Sequence, residues 1–136
     1  MLKAVLLQAA LKEAGIDADL ALVSGKDSGA FNPNFFSLTQ FTHGVVVVPQ
    51  ASGTREVLDP TVSYAPFGFM PWQDSGAGVL FLKGGQGEAG SLPVKNEVST
   101  TKYQVAVKAR SDGKAQLEIE ARYTGEDAIS KREDLV

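Results

Sequence analysis

The sequence predicts an α+β fold: one N-terminal helix packed on an antiparallel sheet, followed by a β-hairpin-rich C-terminal part. Three observations predict it. Leu2, Val5, Leu6, Ala9, Ala10 and Glu13 follow helical spacing, and Gly15 offers a C-terminal cap. The β-branched run Val45 to Val48 is separated from Arg55 to Leu58 by a short turn around Ser52-Gly53. Two alternating runs, 96–110 and 115–123, flank an Asp112-Gly113 hairpin signal. With 14 glycines and 6 prolines in the chain, turns are frequent and strands outnumber helices.

Taken in order, the helix has an apolar stripe widened by Leu7 and Leu11, so much of its circumference is expected to be buried. Its Val5, Leu6 and Ala9 face is expected to pack on the sheet, with the N-terminal end near His43. Ile16-Asp17-Ala18 turns the chain into a strand over 19–24. Residues 25–40 read as a loop rich in Gly, Asn and Pro. Its Phe31, Phe35 and Phe36 either anchor it to the core or form a wall of a substrate groove. Strands follow over 44–49 and 55–59, then an irregular aromatic stretch over 60–78, then a strand over 79–82. Gly84 to Gly90 is too glycine-rich for a regular element and reads as a turn or linker. No Lys-Ser/Thr pair and no helix follow it, which argues against a phosphate-binding loop. The last hairpin is expected to be half-buried, and Gly125 onward is polar and is expected to begin a helix. The resulting division is 1–83, a linker or turn over 84–93, and a β-rich part over 94–136.

Composition excludes several classes of function. Hydrophobic residues make up 43% and charged residues 21%, the balance of an ordinary globular chain. A net charge of -3 gives no electrostatic footprint for nucleic acid. No apolar run approaches the ~20 residues that span a membrane, and no basic leader precedes the first apolar stretch. The chain has 0 cysteines, so it has no disulfide, thiolate metal site or cysteine nucleophile. With 1 histidine, and with Asp17, Asp19, Asp27 and Asp74 outside any calcium-loop spacing, no metal site and no cofactor are expected.

The candidate chemistry lies at the paired strands. His43 opens the apolar strand and Asp59 closes the next one, so a hairpin brings the two to the same end. A His and an Asp so placed are the base and the orienting group of a nucleophile-His-Asp triad. The same residues also fit plain structure: a polar strand-end His, and an Asp-Pro-Thr turn in which the carboxylate accepts backbone N–H bonds.

Several segments resemble bacterial transglutaminase-like domains of the papain-like superfamily. Lys3-Ala4-Val5-Leu6-Leu7, with Leu11 and Gly15-Ile16, resembles their nucleophile helix, in which Gly-Asp-Cys-Lys-Asp-Lys-Ala precedes a Leu-x-x-x-Gly-Ile ending. Phe41-Thr42-His43 resembles their Phe-Asn-His, and Leu58-Asp59-Pro60-Thr61 their Leu-Asp-Pro-Thr. Tyr64-Ala65-Pro66-Phe67-Gly68 resembles the segment that follows, so the likeness covers residues 3 to about 82.

The resemblance implies that His43 is the base and Asp59 the orienting group of a cysteine acyltransferase or protease acting on protein or peptide substrates. It also implies a thiol just ahead of Met1, a small β domain beginning near residue 94, and a periplasmic or cell-envelope setting. Without that thiol the chain is expected to be inactive. Phe36, Tyr64 and Trp72 are candidate substrate-binding residues. The alternative reading is a non-catalytic module that binds peptide or glycan, or that serves a structural role, in a cell-envelope protein.

Overall fold

The computed structural model describes residues 1–35, 37–95 and 98–135. The chain divides into two compact units, Met1–Asn96 and Glu97–Val136. The first contains helix α1 (Leu2–Glu13) and strands β1 (Asp19–Ser24), β2 (His43–Pro49), β3 (Arg55–Leu58), β4 (Gly78–Lys83) and β5 (Gln86–Ser91). The second contains strands β6 (Thr100–Ala109) and β7 (Ala115–Thr124) and helix α2 (Gly125–Glu133). The expected α+β architecture is present: one N-terminal helix on an antiparallel sheet, then a hairpin. No helix among the described residues is long and apolar enough to cross a membrane.

The five strands of the first unit run in the order β3-β2-β1-β4-β5, every neighbouring pair antiparallel. Strand β1 sits in the middle because its Ala21, Leu22 and Val23 are buried, which only an interior strand achieves. One core lies on a single face of the sheet and gathers Ala21, Val23, Val45, Val47, Val57, Val79 and Phe81. The other face receives α1, where Ala4 and Val46 are buried and Leu7, Leu11, Leu20, Val48 and Leu58 pack around them.

The face of α1 that packs is Ala4, Leu7 and Leu11, not the expected Val5, Leu6 and Ala9. Leu6 is 72% exposed and Val5 44%. Both faces satisfy helical spacing, because α1 is apolar nearly all round, so periodicity alone does not choose between them. Ala4 decides it: a helix approaches a sheet closely where its contact residue is small, and Ala4 is fully buried.

The expected linker or turn over 84–93 is a turn at Gly84-Gly85 followed by a strand of the sheet. Gly84 and Gly85, both at positive φ, make a tight turn, and Gln86–Ser91 returns as β5 beside β4. Glycine is tolerated there because the strand passes over large side chains: a Cβ on Gly90 would meet the Phe81 ring at 2.9 Å. Leu92 is buried, and its N–H donates to the Ala77 carbonyl.

The loop over 25–40 is anchored by aromatics. Phe31 packs against Phe41 with ring centroids 5.6 Å apart. It also lies so close to Gly78 that a Cβ there would overlap Phe31. Phe35 is 60% exposed and anchors little.

In the second unit, the apolar side chains of β6 and β7 share one face, as the register Val105↔Ile119 and Val107↔Leu117 requires. The expected half-burial does not occur: all four are more than half exposed. Helix α2, the expected polar C-terminal helix, buries Ile129. Its N-terminus is held by Ser99, whose hydroxyl oxygen accepts from the Glu126 N–H at 2.8 Å.

Two substitutions test this packing in chemical denaturation. Gly78→Ala should lower stability by about 1–3 kcal/mol, because Phe31 must move. Leu6→Ala should change it by less than about 0.5 kcal/mol, because that side chain faces outward.

Candidate functional site

Three polar side chains converge where β1 ends. Val23 of β1 pairs with His43, and Ser24 pairs with Gly78, so the start of β2 and the start of β4 flank the end of β1. The exit of β3 reaches the same end of the sheet, since Leu58 pairs with Val46 and the next residues run toward His43. His43 Nε2 lies 3.4 Å from Asp59 Oδ2 and 3.0 Å from Asp74 Oδ2. The Asp59 and Asp74 side chains are 4% and 2% exposed, and that of His43 is 22% exposed.

Each group is held from behind. Asp59 forms the expected Asp-Pro-Thr turn: its Oδ1 accepts from the Thr61 N–H at 2.8 Å and the Thr61 hydroxyl at 2.6 Å. That leaves Oδ2 to face the imidazole. Asp74 sits in a turn fixed by its own N–H donating to the Pro71 carbonyl and by its carbonyl accepting from Ala77. The next residue, Ser75, is buried and bonds both the N–H and the carbonyl of Lys95. The neighbouring Gln73 carbonyl accepts from the Lys26 N–H. The aspartate therefore has little freedom to turn toward water.

His43 is oriented through Thr42. The Thr42 hydroxyl donates to the Val23 carbonyl at 3.2 Å, and its oxygen accepts from the Gly25 N–H at 3.3 Å. His43 Nδ1 lies 3.2 Å from the same oxygen. A hydroxyl has one hydrogen, and Val23 takes it, so Nδ1 must be the donor in this contact. Nε2 is then the nitrogen that faces two carboxylates. As a bare lone pair it would be repelled by both, so it carries a positive charge in some form. In the metal-free chain that charge is a proton, and Asp59 first and Asp74 second push the imidazole up from 6.5 to about 9, against a smaller opposing effect of burial. Burial by itself would raise the Asp59 carboxyl, but the close His43 imidazole and the hydrogen bonds from Thr61 outweigh it and hold the carboxyl below its usual range.

Neither carboxylate contact has the alignment of a hydrogen bond. Nε2 and Asp74 Oδ1 are both buried without a hydrogen-bond partner among the described residues. The close approach of Nε2 to Asp74 is thus an ion pair rather than a directed N–H bond.

The expected contact of His43 with Asp59 is present. The expected approach of the N-terminal end of α1 to it is not: Met1 lies over Gly44 on the face that receives α1, whereas His43 shares the opposite face with Val23 and Val45, because side chains alternate along a strand. Asp74 was not expected at this site. It is more than a dozen residues from Asp59 and belongs to no motif, so only the pairing of β4 with β1 brings it in. Of the candidate substrate-binding residues, Phe36 lies outside the described residues. Tyr64 and Trp72 are exposed, and neither lines a described cavity. The cavity nearest the site, about 350 Å³, lies between α1 and the 58–69 segment. Leu7, Leu11, Leu58, Val62 and Phe67 line it, and Asp59 forms part of its wall.

Compared with known protein families, curated proteins and solved structures, the chain finds no match.

Two measurements follow from the electrostatics. In metal-free buffer the imidazole resonances should titrate near pH 9, and Asp59→Asn should move the midpoint down toward 6.5. The folded value lies above the unfolded one, so the protonated imidazole stabilises the fold fully below about pH 6.5 and ceases to do so as pH rises through about 9. The unfolding midpoint should therefore fall over that interval in the parent chain and much less in His43→Ala.

Proposed function

We propose that this chain is the His- and Asp-bearing part of a transglutaminase-like, papain-like cysteine acyltransferase or protease domain, followed by the start of a β domain. On this reading the chain by itself is inactive, because it has 0 cysteines. The observation that carries the reading is the His43–Asp59 contact of 3.4 Å. A helix N-terminus lowers the pKa of a thiol through its unpaired N–H groups and dipole. A protonated imidazole reached by a thiol carried around the end of β2 would stabilise the thiolate further. Since Nε2 is occupied by carboxylates, Nδ1 is the nitrogen that would exchange a proton with the thiol, displacing its contact with Thr42. The substrates on this reading are proteins or peptides, and the setting is the cell envelope.

A second reading is favoured by the cavity beside Asp59. Its walls are mainly apolar and it could seat an apolar side chain without any bond being broken. On that reading the chain is a non-catalytic peptide-binding or structural module.

The two are separated by restoring the thiol. With Gly-Asp-Cys placed before Met1, the rate of iodoacetamide alkylation should rise with a midpoint well below the ordinary ~8.5 of a thiol. His43→Ala should return it to the ordinary value. An ordinary titration unaffected by His43→Ala would overturn the acyl-transfer reading. The chain without the added thiol should incorporate no amine and cleave no peptide above a His43→Ala control.

A further inference from the structure

We propose that His43, Asp59 and Asp74 form a three-ligand site for a borderline divalent cation of the zinc or manganese class. The inference stands on these three side chains and does not depend on the acyl-transfer reading.

The first argument is charge. Two carboxylates, 4% and 2% exposed, face one imidazole. A proton on Nε2 leaves one negative charge uncompensated in a place where water scarcely reaches. A buried charge of that kind is expensive. A divalent ion bound to a neutral imidazole and two carboxylates balances the site to zero.

The second argument is geometry. Nε2 lies 3.0 Å and 3.4 Å from the two Oδ2 atoms without hydrogen-bond alignment to either. Metal–ligand bonds of about 2.1 Å put adjacent ligands about 3.0 Å apart at right angles and about 3.4 Å apart at the tetrahedral angle. All three donor atoms lie within 4.8 Å of one another. The two separations from Nε2 are thus those of adjacent ligands on one metal ion.

The ligands are also supported from behind. Metal-binding histidines donate their other ring N–H to an oxygen, and ligating carboxylates are themselves hydrogen-bonded. Here Nδ1 donates to Thr42, and Asp59 Oδ1 is held by Thr61. Asp74 is the independent sign of a ligand: its side chain is almost wholly buried, Oδ2 is turned to Nε2, and Oδ1 has no hydrogen-bond partner among the described residues. One nitrogen and two oxygens, with no thiolate in the chain, suit Zn²⁺ or Mn²⁺ better than a soft ion, and the imidazole favours them over Ca²⁺ or Mg²⁺.

The test uses the chain freed of metal by chelation, then titrated with Zn²⁺ by calorimetry at pH 8. One equivalent should bind, and His43→Ala, Asp59→Asn and Asp74→Asn should each weaken binding at least tenfold. Thr61→Val, which removes only the hydroxyl bond to Asp59 and keeps the backbone N–H bond, should weaken it about tenfold. The amide spectrum of each variant reports whether it is folded. Should a variant fail to fold, the parent chain decides alone, because its 1 histidine gives an unambiguous imidazole ¹⁵N spectrum. Zn²⁺ should shift Nε2 and leave Nδ1 protonated. A Zn²⁺ affinity unchanged in folded His43→Ala, or imidazole nitrogens that do not respond to Zn²⁺, would overturn the proposal and leave a proton as the occupant of the site.

Discussion

The position of β1 between β2 and β4 is the constraint on which the first unit depends. Its buried Ala21, Leu22 and Val23 demand a neighbour on either side, and the two neighbours are strands far apart in sequence. Antiparallel pairing then puts the start of β2 and the start of β4 at one end of the sheet. His43 stands at the first and Asp74 just before the second. The hairpin of β2 and β3 returns Asp59 to the same place. Three polar side chains thus meet as a consequence of where an apolar strand is buried.

The meeting is costly, and its cost is what makes it informative. Burying a carboxylate without full hydrogen bonding is unfavourable, and here two are buried against a single imidazole. Surface aspartates would be solvated by water at no such expense. Thr42, Thr61 and the turn around Ser75 all serve to hold the three groups in place rather than to separate them. A site of this kind binds something positive, whether a proton or a metal ion.

The second unit is built on another principle. Its hairpin has a full ladder over ten residue pairs, but Val105, Val107, Leu117 and Ile119 on its apolar face are all more than half exposed. A two-stranded ribbon alone is marginal in water. The helix N-terminus tied to Ser99 and the cross-strand Thr100–Thr124 contact of 2.7 Å therefore matter more here than equivalent contacts do in the five-stranded sheet.

Local residue chemistry determined much of this protein. Helical spacing marked α1, the β-branched run marked β2, Ser52-Gly53 and Asp112-Gly113 marked the hairpin turns, and Asp-Pro-Thr marked the turn that holds Asp59. The approach of His43 to Asp59 was legible too, because a hairpin joins residues near in sequence. Only the tertiary structure decided the rest. The face of α1 is chosen by the close contact at Ala4, which periodicity cannot rank above Leu6. Gln86 to Ser91 is a strand because Leu80 and Phe81 supply the bulk that its glycines lack, and that compensation lies on the neighbouring strand. Asp74 joins the site because β4 pairs with β1 across more than fifty residues, and a non-local pairing leaves no motif in the chain to read.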